Sequence, residues 1–367
     1  MMPRIEKLTE NGDNLAFTLR DVNVSLANGL RRTILSDIPT VVFKTSPHDQ
    51  NKASIIVNTT RLNNEILKQR LSCIPIHISD LKMPLQNYIM EANVENLTDT
   101  VMYMTTEDFK IKNLITNEYL SEKDRRAIFP PNALTGYYID FVRLRPKISE
   151  EIPGEKLHLI CEFSIGTAKE DGMFNVVSTC SYGFTQDEVH IEEILRKKAQ
   201  EWKDKGMNKE DIVFETTNWR LLDAQRIVKK DSFDFQLQTL GIFTNQQIIR
   251  KACDVLVDKL DALNTAIDAD ELNINPSENT MKNCYDIILE NEDYTIGKAL
   301  EYFLHSKFYE GTKSLSFCGF KKMHPHDADS IIRIAYREEL EKQAIKQNLK
   351  ECIADAITVY TAIKDKF

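Results

Sequence analysis

His324-Pro325-His326-Asp327 is the stretch where two imidazoles and a carboxylate stand closest together, the residue types that ligate a transition metal. Adjacent ligands in a proline-bearing turn do not close a coordination sphere alone, and no Cys-x-x-Cys pair exists to complete one. No metal is expected there. Gly166-Thr167-Ala168-Lys169 joins a glycine to a lysine, but without the spacing of a phosphate-wrapping loop. No aspartate-rich loop stands out as a magnesium site. We assign no catalytic residue and expect no cofactor. The remaining candidate is the pair Arg31-Arg32, whose chemistry is recognition: guanidinium forks match the carboxylates or backbone carbonyls of a partner. Ordinary surface ion pairs are the competing reading.

The arginines must be positioned by the stretch Asp21–Pro39. A half-buried strand precedes it, with Leu15, Phe17 and Leu19 on one face. Leu26, Leu30, Ile34 and Ile38 then recur at every fourth position, an apolar helical ridge that Pro39 ends. Gly29 falls mid-helix, where it costs about 1 kcal/mol relative to alanine, so a close neighbour is expected there. Both arginines should point away from the ridge. The same grammar returns near the other end of the chain: strand Tyr285–Leu289, then Tyr294-Thr295-Ile296-Gly297 and on to Leu304. Shifted by 270 positions, Ser25 meets Thr295, Leu26 meets Ile296, Gly29 meets Ala299, Leu30 meets Leu300 and Ile34 meets Leu304.

Between and around these copies the chain changes character. Pro84 to Phe184 is rich in short strands, among them Tyr88–Val94 and Leu157–Phe163, punctuated by Pro130-Pro131 and Pro153-Gly154. His190–Lys205 reads as a charged helix; its basic run Arg196-Lys197-Lys198 is interleaved with acids and reads as a solvated face. Thr244-Asn245-Gln246-Gln247 offers a capping box to a helix carrying Ile249, Ala252, Leu256, Leu260 and Leu263. Residues 266–283 are acidic and aperiodic, a linker. A last helix, from about Arg337, sets Ile345, Leu349, Cys352, Ala356, Val359 and Ile363 at spacings of four and three, which calls for a partner helix.

A chain of 367 residues exceeds one compact core, and its net charge of −9 argues against a broad grip on nucleic acid. Seven dispersed cysteines fit a reducing compartment rather than a disulfide framework. The N-terminal segment shows no signal-peptide core, and no apolar run approaches the roughly 18 residues of a membrane span, so an intracellular protein with no membrane contact is expected. A small sheet with two helices on one side leaves an apolar helical face open, and two such units could cover each other. The fold class expected is therefore α+β: two modules packed helix to helix as an intramolecular pseudo-dimer. The first module takes residues 1–46 and 214–265, interrupted by a β-rich insert at 47–213; the second takes 284–367. Leu26, Gly29, Leu30 and Ile34 should pair with Ile296, Gly297, Leu300 and Leu304.

Asn28-Gly29-Leu30-Arg31-Arg32 with Ile38-Pro39 resembles the signature of the alpha-like assembly subunits of multisubunit RNA polymerases. Gln69–Ile76, with its Arg70-Leu71 and Ile74-Pro75, is similar to a second family segment, and Thr239–Asp254 to its final strand and helix. The C-terminal part, through Tyr294–Gly297, Cys318–Pro325 and Ile332-Arg333-Ile334, resembles the family's small partner subunit. Third- and eleventh-subunit-like parts joined in one chain resemble the arrangement of large nucleocytoplasmic DNA viruses. This resemblance implies alpha-like dimerisation modules and a non-catalytic assembly platform on which the two largest subunits and small accessory subunits meet, touching DNA only through the assembled enzyme. It further implies host cytoplasm, viral factory or virion rather than nucleus, and a partner interface at Asn28, Arg31, Arg32 and Lys169. The family's loop around Lys169 runs on differently: Asp171-Gly172-Met173 stand in its later places. The competing function is a stand-alone DNA-binding transcription regulator, which a concentrated basic face would favour.

Overall fold

The structure is a computed structural model that describes residues 2–149 and 151–367. The chain divides into two compact units. The first comprises residues 1–34, 179–238 and 245–367, and the second 35–178 and 239–244.

The first unit begins with the hairpin β1 (Arg4–Asn11) and β2 (Asn14–Arg20). Asn11 pairs with Asn14 across the two-residue turn Gly12-Asp13, and Gly12 takes φ +57°, which suits glycine at the first central position of a hairpin turn. The polar N-terminus is thus a strand. β1 is an edge strand with no buried residue, so it lacks the apolar alternation that would betray it. Helix α1 (Val24–Ser36) follows; the Asn23 side chain accepts from Ser25 N at 2.9 Å and secures its first turn.

The second unit contains β3 (Thr40–Val42), β4 (Ala53–Asn58), α2 (Asn64–Ser72), β5 (Tyr88–Glu95), β6 (Met102–Thr105), β7 (Lys110–Asn113), α3 (Glu122–Ile128), β8 (Asp140–Leu144), β9 (Lys156–Glu162) and β10 (Ser164–Gly166). β4-β9-β5-β7 form an antiparallel sheet; β6-β8 and β3-β10 form two-stranded ladders. Its mainly aliphatic core holds a group of phenylalanines, with Phe109 edge-on to Phe129 at 5.5 Å and to Phe141 at 5.4 Å.

The chain re-enters the first unit along β11 (Val177–Gln186), then forms α4 (Glu188–Asp204), α5 (Lys209–Leu221), β12 (Val228–Thr239) and α6 (Asn245–Asp268). One sheet runs β1-β2-β12-β11, with Phe17 stacked on Phe235 at 5.0 Å. After α6 come β13 (Ile274–Pro276), β14 (Cys284–Leu289), α7 (Tyr294–Leu304), β15 (Leu315–Lys321), β16 (Ser330–Tyr336) and α8 (Lys342–Lys364), and the second sheet runs β13-β14-β16-β15. Asp286 and Arg333, directly opposite on β14 and β16, form a bidentate pair at 2.6 and 2.7 Å.

The second unit covers 35–178 and 239–244, while α4 and α5, placed in the expected 47–213 insert up to residue 213, close a small core of their own (Ile191, Leu195, Trp219, Ala224) within the first unit. α5 went unrecognised because Trp219 is its single buried residue. Within the linker stretch 266–283, α6 runs to Asp268 and Ile274 pairs with Ile287. Asp268 and Asp270 form ion pairs with Lys350 and Lys346 of α8.

Candidate functional site at helix α1

α1 buries Leu26, Ala27, Gly29, Leu30, Thr33 and Ile34. The side of the helix around Gly29 meets the C-terminal part of the chain. A Cβ on Gly29 would lie 2.7 Å from Tyr360 Oη and 3.6 Å from the Thr295 carbonyl oxygen, the first too close for any side chain. Tyr360, on α8, is fully buried, and its hydroxyl donates to Leu26 O at 3.4 Å. Burial pushes this phenol far above its ordinary pKa, so it acts only as a neutral donor. The glycine cost is explained: the hydroxyl of one helix sits against the bare backbone of another.

α8 also packs on α6 and α7. Lys364 pairs with Asp254 at 2.5 Å, and Lys350 with Asp268, so α6 and α8 run antiparallel. The expected seam residues of α8 are all buried, joined by Ile353 and Tyr360. Phe367, beyond its end, meets the Phe17 ring edge-on at 4.9 Å.

The two arginines take different roles. Arg32 does not point away from the helix pair, as the apolar ridge alone led us to expect. Its guanidinium reaches Asp293 Oδ2 at 2.7 Å and Thr295 Oγ1 at 3.0 Å, at the start of α7. Asp293 is the N-cap of that helix and accepts from Thr295 N at 2.9 Å. Burial opposes ionisation of this carboxyl, yet the Thr295 hydrogen bonds and the Arg32 charge outweigh it and hold the pKa below the usual aspartate value. A helix N-terminus, a carboxylate and a guanidinium therefore join α1 to α7. Arg31, half-exposed, donates from Nε to Asn28 Oδ1 at 3.0 Å. It stands near enough to Cys180 on β11 to temper the effect of burial, which pushes that thiol up to about 12.

Of the expected partner residues, Asn28 and Arg31 thus lie together, and Arg32 is turned to α7. Lys169 belongs to the second unit, exposed, with its backbone N–H donating to Ser36 O at 2.8 Å. Of the expected pairing residues, Leu26, Leu30, Ile34, Ile296, Leu300 and Leu304 are at most 1% exposed. Gly297 is the correction. The Phe320 ring of β15 lies 2.0 Å from the place of its Cβ, so this glycine makes room for its own sheet. Sequence reading missed Asp293 and Tyr360. Asp293 carried a signal, an N-cap residue just before an apolar helix.

The histidine turn is self-contained: Asp327 Oδ2 accepts from His324 N at 2.9 Å, and the two imidazole rings lie 5.2 Å apart. Among the described residues no group of three or more His, Cys, Asp or Glu side chains could hold a metal.

The Rpb3/Rpb11 dimerisation domain of RNA polymerase matches residues 16–260. The chain belongs to this family. A second match to an Rpb3/Rpb11 dimerisation domain covers residues 284–366, which contain α7 and α8. Among similar proteins, the subunit rpac1 of DNA-directed RNA polymerases I and III from Dictyostelium discoideum is 23% identical, spanning 72% of this chain and 81% of its own length. The DNA-directed RNA polymerase subunit Rpo3 of Pyrococcus horikoshii is 24% identical over 71% of this chain and 96% of its own. A conjugation stage-specific protein of Tetrahymena thermophila is 23% identical over 68% of this chain and 90% of its own. The chain is thus homologous to alpha-like subunits of multisubunit RNA polymerases.

Proposed function

We propose that this chain is a non-catalytic assembly platform of a multisubunit DNA-directed RNA polymerase, with a third-subunit-like and an eleventh-subunit-like module fused in one polypeptide. The observation that carries the reading is that two Rpb3/Rpb11 dimerisation domains occur in one chain, and that α1 up to Ile34, α6, α7 and α8 lie in one compact unit. Contacts from α1 to α7 and α8 support pairing of the two modules as an intramolecular pseudo-dimer: Arg32 to Asp293, and Tyr360 over Gly29. The relatives, matched over most of their own length, account for about seven tenths of this chain, and an added second module fits the remainder.

On this reading the module pair is self-satisfied, and the two largest polymerase subunits dock on what remains outward. We assign Arg31 with Asn28, and Lys169, to that docking, and Arg32 to holding the modules together. Small accessory subunits complete the assembly, and DNA is met only through it. The fused arrangement suits a polymerase of a large nucleocytoplasmic DNA virus, working in host cytoplasm or packaged in the virion.

The test is isolation of the tagged full-length chain from its natural setting under mild salt, with identification of what accompanies it. Two polymerase-sized subunits are expected in stoichiometric amount, and their recovery should fall when Arg31 and Lys169 are both replaced by alanine. Recovery of the chain alone would end the platform reading.

A further inference from the structure

The second unit holds a cationic cavity that neither the family match nor the docking assignment uses. It encloses about 390 Å³ between α2 and β8, and four arginines line it: Arg61, Arg70, Arg143 and Arg145. In a chain of net charge −9 this is a local reversal of sign. The arginines are not equivalent. Arg70 is a structural strut, donating from Nε to Phe141 O at 2.7 Å and from Nη2 to Asp140 O at 2.9 Å, which leaves its charge uncompensated. Arg145 is neutralised by Glu155, whose carboxylate accepts from Arg145 Nε at 2.5 Å and Arg145 N at 2.7 Å and is 5% exposed. Among the described residues the Arg61 and Arg143 side chains have no hydrogen bond or ion pair, and both residues are exposed. Against these three open charges stands one further acid, Asp140, whose carboxylate also has no partner among the described residues.

The ladder geometry sets what the cavity presents. Tyr103 on β6 lies directly opposite Arg143 on β8, so a half-exposed ring and a free guanidinium share one face. The adjacent pair, Met104 opposite Val142, is buried on the other face. With Leu62, the cavity therefore combines an apolar and aromatic wall with unpaired forks.

We propose that this cavity binds a short acidic peptide segment of a partner protein, seating an apolar or aromatic side chain on the wall and its neighbouring carboxylates on Arg61 and Arg143. Glu155 shows that the cavity accommodates a carboxylate, held by one guanidinium N–H and the backbone N–H of Arg145, and Arg333 holds Asp286 elsewhere in the chain by two guanidinium N–H groups. Arginine forks match carboxylates two bonds at a time. A nucleic-acid strand is the poorer fit, since three open charges offset by Asp140 fill one cavity and do not trace a backbone. The assignment goes beyond the platform reading and does not depend on it.

The experiment is fluorescence anisotropy on the isolated full-length chain with a labelled pentapeptide carrying a central phenylalanine between two pairs of glutamates. Two controls accompany it: the same peptide with glutamine for every glutamate, and a labelled oligothymidylate. Arg61→Gln with Arg143→Gln removes the free forks at exposed positions where folding is not at stake. Binding of the acidic peptide, at least tenfold weaker to the double variant and to the glutamine peptide, is the expected result. No binding, equal binding to the double variant, or tighter binding of oligothymidylate than of the acidic peptide would overturn the proposal. None of these outcomes touches the co-isolation result, so the two readings fail separately.

Discussion

Gly29 and Gly297 stand two positions apart in the aligned copies, Gly29 matching Ala299 and Gly297 matching Ala27, which puts them on opposite faces of the same helix, and they are crowded from opposite directions. A side chain on Gly29 would strike Tyr360 Oη and approach the Thr295 backbone, both in the C-terminal module. A side chain on Gly297 would strike Phe320 of β15, which belongs to its own sheet. Each copy therefore carries its glycine on a different helix face. The first copy has its small residue where another module closes on it, and the second where its own sheet rises to meet the helix. Two halves that share a local pattern have diverged into complementary parts, as a self-contained pair requires and a symmetric dimer does not.

Substituting each glycine tests that difference. The clash distances alone rank Gly297→Ala as worse, at 2.0 Å against 2.7 Å, but burial reverses the order. Tyr360 is 0% exposed, with nowhere to move, whereas Phe320 is half-exposed and can swing outward. Gly29→Ala should cost about 2–3 kcal/mol, the usual penalty of overpacking a closed core. Tyr360→Phe removes the offending hydroxyl at a cost of about 1 kcal/mol for its hydrogen bond. The double variant should then be more stable than Gly29→Ala alone, a non-additivity of at least about 1 kcal/mol in urea denaturation. Additive losses would mean that the two residues do not meet.

Gly297→Ala is expected to cost less, about 1 kcal/mol, because the gain in helix propensity offsets part of the ring displacement. The check is the same denaturation series, together with quenching of a reporter placed beside Phe320. If Gly297→Ala proves the more damaging, Phe320 is held more firmly than its exposure implies, and the contrast between the copies weakens.

Legibility in the sequence followed the same division. Elements whose periodicity reports burial could be read: the ridge of α1, the seam of α8, and the strand expected at Tyr285–Leu289, found as Cys284–Leu289. Elements whose residues face water on most sides left no period, and so β1 and α5 escaped. The site was half readable. A mid-helix glycine announces a close neighbour without saying which, and Tyr360 lies 331 positions away, beyond any local pattern. Arg32 was assigned outward because the ridge claims one face; Asp293, which the sequence reading passed over, is a helix cap that also receives Arg32. The cationic cavity was invisible for a simpler reason. Its arginines come from the approach to α2, from α2 itself and from β8, so only the folded second unit assembles them.

Arg32 and Asp293 give the smallest expected effect and the most direct test of how α1 joins α7. The pair is partly screened, with 36% and 24% of the two side chains exposed, so its worth at neutral pH is about 1 kcal/mol at most. Asp293 has a folded-state pKa below its unfolded value. Its contribution is therefore fully present above the unfolded aspartate pKa of about 4, and is lost as pH falls through the folded value. Arg32→Met keeps the aliphatic packing and removes the charge, which lets the Asp293 pKa rise. The stability gap between the two proteins in urea should be widest near pH 6 and close as pH falls below about 4, since protonated Asp293 has no charge for Arg32 to meet. Gly29→Ala, whose penalty is steric, should show a gap that does not change with pH. A pH-independent gap for Arg32→Met as well would mean that Arg32 acts through packing alone, and would return its charge to the surface as a handle for a partner.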